Sequence, residues 1–141
     1  MNRTASAHWT GDLKEGRGTI STQSGILKDT QYSFRTRFED GVGTNPEELV
    51  GAAHAGCFTM ALSSELGKAG MKADAIDTTA TVTMDKLAAG PTITAVHLDV
   101  KAKIPGADPQ KFSDAANGAK NNCPISRLLN TNITMDAKLV S

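Results

Sequence analysis

The chain has 141 residues, with 15 Lys and Arg against 15 Asp and Glu, so it has the length of one domain and no formal net charge. Phosphate-backbone and basic membrane-surface binding draw on a surplus of Lys and Arg, so neither nucleic acid nor a membrane is expected as a partner. Hydrophobic residues make up 39%, no apolar run approaches the roughly 18–20 residues of a membrane span, and no apolar stretch follows the N-terminus as in a secretory signal. A single domain over 1–141 and a cytoplasmic setting are the expectations.

In chain order, residues 1–44 read as β structure. A run from Thr4 ends at His8-Trp9, and Gly11, Gly16 and Gly18 punctuate the next stretch. Thr19–Thr22 and Gly25–Leu27 are short alternations. Tyr32-Ser33-Phe34-Arg35-Thr36-Arg37-Phe38 has strand period, with the aromatics and Thr36 on one face and Arg35 and Arg37 on the other. Together these runs predict a three-stranded meander. A helix start comes next. Asn45 is placed to cap, Pro46 suits the first helical position, and Glu48 completes an N-x-x-E box. The helix continues through an Ala- and Gly-rich stretch containing His54 and Cys57 toward Leu66. It is small or apolar on nearly every face, which predicts burial all round. Ile76–Met84 and Ile93–Ile104 form a hairpin. Asp108-Pro109 opens a second helix to about Lys120, and Cys123-Pro124 opens a short third one to Leu129. Thr131–Val140 is a last strand, so the fold class is α+β.

Two cysteines, Cys57 and Cys123, are the main candidates for chemistry. A static disulfide is not expected in a reducing compartment. Cys57 in a buried helix reads first as a packing thiol, because free Cys is often a small core hydrophobe. Its burial would also raise its pKa unless a donor or cation sits beside it. Cys123 precedes Pro124 at a helix start, where Ser, Thr, Asp and Asn are the usual caps. A thiol there is either an unusual cap or one activated by the helix terminus. Arg35 or Arg37, if buried under the central helix, would need an anion: a thiolate or Glu47. His8, His54 and His97 are scattered, and no CxxC, HxxxH or HExxH spacing supports a metal.

The stretch Gly43-Thr44-Asn45-Pro46-Glu47-Glu48-Leu49, the run to Ala55-Gly56-Cys57-Phe58 and the later Cys123-Pro124-Ile125-Ser126 resemble the OsmC/Ohr family over essentially the whole chain. The opening His8-Trp9-x-Gly11-Asp12 and the Arg37-Phe38 pair look like the OsmC branch. The resemblance implies antiparallel sheets wrapped around two long central helices in an intertwined homodimer. It implies a thiol peroxidase that reduces organic hydroperoxides, and hydrogen peroxide more weakly, to alcohols. By the same resemblance Cys57 is the peroxidatic cysteine and Cys123 the resolving one, passing through a Cys57 sulfenic acid to a Cys57–Cys123 disulfide. Glu47 matches the family's glutamate, ten residues before the cysteine. Arg37 fills the arginine role in the OsmC-like pattern, Arg35 and Arg17 remain alternatives, and Lys14 stands at the position the Ohr branch uses. No metal or organic cofactor is implied. A dithiol reductant is, with dihydrolipoyl groups the Ohr-branch example.

On a continuous helix, ten residues separate Glu47 and Cys57 by about 15 Å along the axis and turn them to different faces. An unbroken helix therefore predicts that Glu47 acts at the cysteine of a partner chain. Two competing readings keep the apolar cavity without turnover: a small-molecule binder with packing cysteines, and a redox-sensing dimer that oxidises once.

Overall fold

The computed structural model describes residues 1–140 and divides into two compact units, Met1–Leu49 and the chain from Val50 onward. In the first unit, β1 (Ala5–Thr10), β2 (Arg17–Thr22) and β3 (Thr30–Tyr32) form the expected antiparallel meander in the order β1-β2-β3. Gly18 pairs with Trp9 on one side and Tyr32 on the other. A side chain at Gly18 would collide with both rings, so glycine lets Trp9 and Tyr32 approach to a 5.5 Å centroid separation. Gly25–Leu27 is a turn rather than a strand.

The expected strand over Tyr32–Phe38 is corrected. β3 stops at Tyr32, and Phe34–Phe38 is a short helix, α1. The cause is a capping box: Ser33 Oγ accepts from the Thr36 N–H at 3.3 Å, and Thr36 Oγ1 accepts from the Ser33 N–H at 2.9 Å. The apolar positions Phe34 and Phe38 satisfy a strand period and an i,i+4 helix pair equally well. In the helix their rings meet at a centroid separation of 4.8 Å. Arg35 and Arg37 therefore do not share a strand face. They sit two positions apart on a helix and point in widely different directions.

Helix α2 (Pro46–Lys68) is unbroken over 23 residues. Asn45 caps it as expected: its Oδ1 accepts from the Glu48 N–H at 2.8 Å and its Nδ2 donates to Glu48 Oε1 at 3.0 Å. At the far end Gly70 adopts φ 76°, and the Met71 N–H returns to the Leu66 carbonyl at 2.8 Å.

In the second unit, β4 (Ala75–Leu87), β5 (Gly90–Lys103) and β6 (Asn132–Val140) make one sheet in the order β4-β5-β6. β4 and β5 form the expected hairpin, with strands reaching in to Leu87 and Gly90. β5 and β6 are parallel, which corrects the expectation of antiparallel sheets. Helices α3 (Pro109–Asn122) and α4 (Pro124–Leu128) lie between them in sequence and act as a crossover, which returns the strand in its original direction. One parity of β5 (Val96, Leu98, Val100, Ala102) is buried with Phe58, Leu62 and Leu66 of α2 and Phe112, Ala115, Ala116 and Ala119 of α3. Full burial of each large side chain contributes about 1.5–3 kcal/mol. α2 packs on β4 at Gly51, where an added Cβ would meet Val82 Cγ2 at 3.4 Å, an ordinary contact.

The helix is not buried all round within the chain. Gly51, His54, Phe58, Leu62 and Leu66 form the buried stripe. Ala52, Ala53, Gly56, Met60, Ser63 and Gly67 lie exposed on the other face.

Candidate active site

Cys123 stands at the joint between α3 and α4. Its N–H closes α3 on the Ala119 carbonyl, and its sulfur caps α4 by accepting from the Ser126 N–H at 3.3 Å. Pro124 at the first position of α4 fixes the turn. The cap expected from sequence is therefore present, and one residue serves two helices.

The same joint meets Cys57 of α2. Cys57 is half-buried, Cys123 is buried, and both are free thiols. The two thiols are neighbours, and the Ile125 backbone N–H lies near the Cys57 sulfur. Burial pushes the Cys57 thiol up from its ordinary value, and the neighbouring Cys123 thiol adds to the rise. The Ile125 N–H works the other way by stabilising the thiolate. Two cysteines 66 positions apart are thus brought together by the crossover.

His54 joins them, and the sequence reading assigned it no role. It is fully buried on α2, and its Nε2 lies 2.7 Å from Ser126 Oγ. Ser126 Oγ also accepts from Cys123 Sγ at 3.1 Å. His54 Nδ1 has no partner among the described residues. Burial holds the imidazole below its usual pKa. The signal was present as two i,i+3 pairs, His54 with Cys57 and Cys123 with Ser126, each sharing one helix face.

In the first unit, Arg37 of α1 pairs with Glu47 of α2, Nε to Oε1 at 2.8 Å. Glu47 is largely buried, and its second oxygen, Oε2, has no partner among the described residues. Arg37 also lies 5.2 Å from the Phe38 ring centroid. It lines a cleft of about 280 Å³ with Trp9, Leu13, Tyr32, Phe34 and Phe38. The other two arginines are placed differently. Arg35 is exposed and 3.7 Å from Glu39, and Arg17 has no carboxylate partner among the described residues.

One cluster has metal-ligating residue types. His97 Nε2 lies 3.5 Å from Asp99 Oδ1 and 3.3 Å from Asp136 Oδ2, and its Nδ1 lies 2.6 Å from Thr134 Oγ1. Both carboxylates are exposed. The parallel register sets Asp99 opposite Asp136, and that pairing was invisible to a reading that took the sheet as antiparallel.

A half-buried thiol beside a buried one, on a sheet with one parallel crossover, is the arrangement of a cysteine redox protein of the α+β class. The chain belongs to the OsmC family, whose match, described as OsmC-like protein, spans residues 38–138. It is 50% identical over 141 residues to Peroxiredoxin OsmC of Escherichia coli (strain K12), covering 100% of this chain and 99% of that protein. Peroxiredoxin OsmC of Shigella flexneri matches with the same identity and coverage. The fold is shared with an OsmC-like protein of unknown function from Vibrio cholerae (TM-score 0.77, 17% identity, 98% of this chain and 99% of that one). It is also shared with the organic hydroperoxide resistance protein OhrB of Bacillus subtilis (TM-score 0.67, 23% identity, 97% and 98%).

Proposed function

We propose that this chain reduces organic hydroperoxides to alcohols, with Cys57 as the attacking thiol and Cys123 as the resolving one. Its class as a peroxidase follows from the 50% identity, over the full length, to proteins named peroxiredoxin. The observation that carries the assignment of roles is the contact between two free thiols, one half-buried and one buried. The more accessible sulfur meets the peroxide first. The Cys57 thiolate attacks the terminal oxygen and the O–O bond breaks. Cys57 becomes a sulfenic acid, and the alkoxide leaves and takes a proton. The Cys123 sulfur then attacks the Cys57 sulfur and displaces hydroxide as water, leaving a disulfide that an external dithiol reduces. A dihydrolipoyl group is one such dithiol. A reducing compartment such as the cytoplasm keeps both thiols free between turnovers.

Arg37 is the arginine we assign, because among the described residues it alone of the three candidates is held by a largely buried carboxylate. Its guanidinium stabilises the thiolate and the developing alkoxide, and Glu47 holds it in position. The aromatic cleft beside Arg37 favours an alkyl or acyl group on the peroxide.

The protein acts as a homodimer in this reading. The small, exposed face of α2 suits close approach by the same helix of a second copy, giving the two central helices. Because α2 is unbroken, Glu47 and Arg37 serve Cys57 of the partner subunit.

The test is single-turnover mass spectrometry with one equivalent of cumene hydroperoxide on wild type, Cys57→Ser and Cys123→Ser. The expected results are loss of two hydrogens with a Cys57–Cys123 disulfide in wild type, and a trapped sulfenic acid on Cys57 in Cys123→Ser. Thiols left unreacted by the peroxide would end the proposal.

A further inference from the structure

A polar side chain in an α2 stripe otherwise made of Gly51, Phe58, Leu62 and Leu66 calls for an explanation, and His54 is fully buried there. A leucine at that position would pack without any hydrogen-bond demand. His54 instead leaves Nδ1 without a partner among the described residues while spending Nε2 on Ser126, and an orphaned buried polar atom calls for a reason. Ser126 in turn touches Cys123 twice, through its hydroxyl at 3.1 Å and its backbone N–H at 3.3 Å. Hydrogen bonds therefore run from Cys123 to Ser126 to His54, with Cys57 beside Cys123.

We propose that Ser126 and His54 form a proton relay for the resolving step, with His54 as the final acceptor of the Cys123 thiol proton. This inference rests on the assignment of Cys123 as the resolving cysteine.

The hydrogen-bond directions suit the task. The Ser126 N–H already donates to the Cys123 sulfur, so the thiol hydrogen is directed to Ser126 Oγ. The Ser126 hydroxyl hydrogen is then free to point at His54 Nε2, 2.7 Å away. A neutral His54 accepting at Nε2 carries its own hydrogen on Nδ1. Burial keeps the ring neutral and the Nε2 lone pair available. As Cys123 attacks the Cys57 sulfenic acid, its proton passes to Ser126, and the Ser126 proton passes to His54. The S–O bond at Cys57 breaks, and hydroxide leaves and is protonated to water. His54 afterwards releases its proton to solvent. The net step is sulfenic acid plus thiol giving disulfide plus water. The oxidising equivalents come from the peroxide consumed earlier, so no further oxidant enters. Ser126 contacts a reacting sulfur and is catalytic in this scheme, whereas His54 acts through Ser126.

The experiment separates the two chemical steps. Sulfenic acid formation is followed by dimedone trapping and disulfide formation by rapid quench, both with cumene hydroperoxide, on wild type, Ser126→Ala, Ser126→Thr and His54→Gln. Loss of a general acid–base relay costs about 100-fold or more. Ser126→Ala and His54→Gln should therefore slow disulfide formation about 100-fold relative to sulfenic acid formation, so that the sulfenic acid accumulates. Ser126→Thr, which keeps the hydroxyl, should restore the ratio. Should His54→Gln not fold, Ser126→Ala and its threonine rescue still decide the matter. An unchanged ratio of the two rates in folded Ser126→Ala would overturn the relay. A wild-type protein that forms no disulfide with the peroxide would overturn the function instead. The relay is then read with diamide, which oxidises the thiol pair without peroxide: disulfide closure about 100-fold slower in folded Ser126→Ala than in wild type supports it, and equal closure rates overturn it.

Discussion

The ion pair of Arg37 and Glu47 is short, 2.8 Å, and its carboxylate is largely buried. In the proposed mechanism a guanidinium held this way is preorganised toward developing negative charge. Removing one such donor typically costs about 10²–10³ in rate. Arg37→Ala should therefore lower the rate of cumene hydroperoxide reduction by about 10²–10³-fold, while Arg35→Ala, exposed and only loosely paired, leaves it within about twofold. Stopped-flow peroxide consumption checks both, and equal losses in the two variants would refute the assignment. His54 makes a separate prediction. Its folded pKa lies below the unfolded value, so its contribution to stability is present above about pH 6.5 and is lost as the pH falls through the folded value. Thermal melts between pH 8 and 5 should show a steeper loss of Tm in wild type than in His54→Gln, which has no proton to take up. The opposite ranking would mean that His54 is charged in the fold.

At the scale of elements, the joint between α3 and α4 does the most. One residue, Cys123, ends one helix and begins the next, and the tight turn aims the Ile125 N–H and the Ser126 hydroxyl at the sulfurs. α1 is the element whose type was misread, and its cap is the physical reason. Ser33→Ala removes the hydroxyl that accepts the Thr36 N–H. It should cost about 0.5–2 kcal/mol in denaturant unfolding. Because α1 carries Arg37, it should also lower peroxidase activity. A neutral effect on both would show that the cap does not hold the helix. The capped starts of α2 and α3 were readable because Asn45-Pro46 and Asp108-Pro109 announce them chemically. The start of α1 was not, because Ser-Phe-Arg-Thr-Arg-Phe satisfies periods of 2 and 3.6 alike.

For the whole molecule, the proposed mechanism sets two chains at each active site. The Ala52, Ala53, Gly56 and Met60 face of α2 is small, apolar and exposed among the described residues. If Glu47 serves the partner, mixing Glu47→Ala with Cys57→Ser leaves each heterodimer one intact site. With random subunit exchange about a quarter of wild-type activity should return. No recovery in a mixture proven to contain heterodimers would place Glu47 at its own chain's cysteine. Sedimentation of the wild type measures the dimer itself.

What the sequence by itself determined is local and chemical: the caps of α2, α3 and α4, the β4–β5 hairpin, the N-terminal meander, and the residue types that support thiol chemistry. These follow from turn residues, periodicity and cap preferences, which act over a few positions. Tertiary structure decided the rest. The parallel pairing of β5 with β6 depends on how the helical crossover packs back onto the sheet, and neither strand's own residues encode it. The meeting of Cys57 with Cys123, and of His54 with Ser126 across 72 positions, exists only once that crossover is closed. Side-chain contacts at such separations are set by packing, and packing has no signature in any single segment.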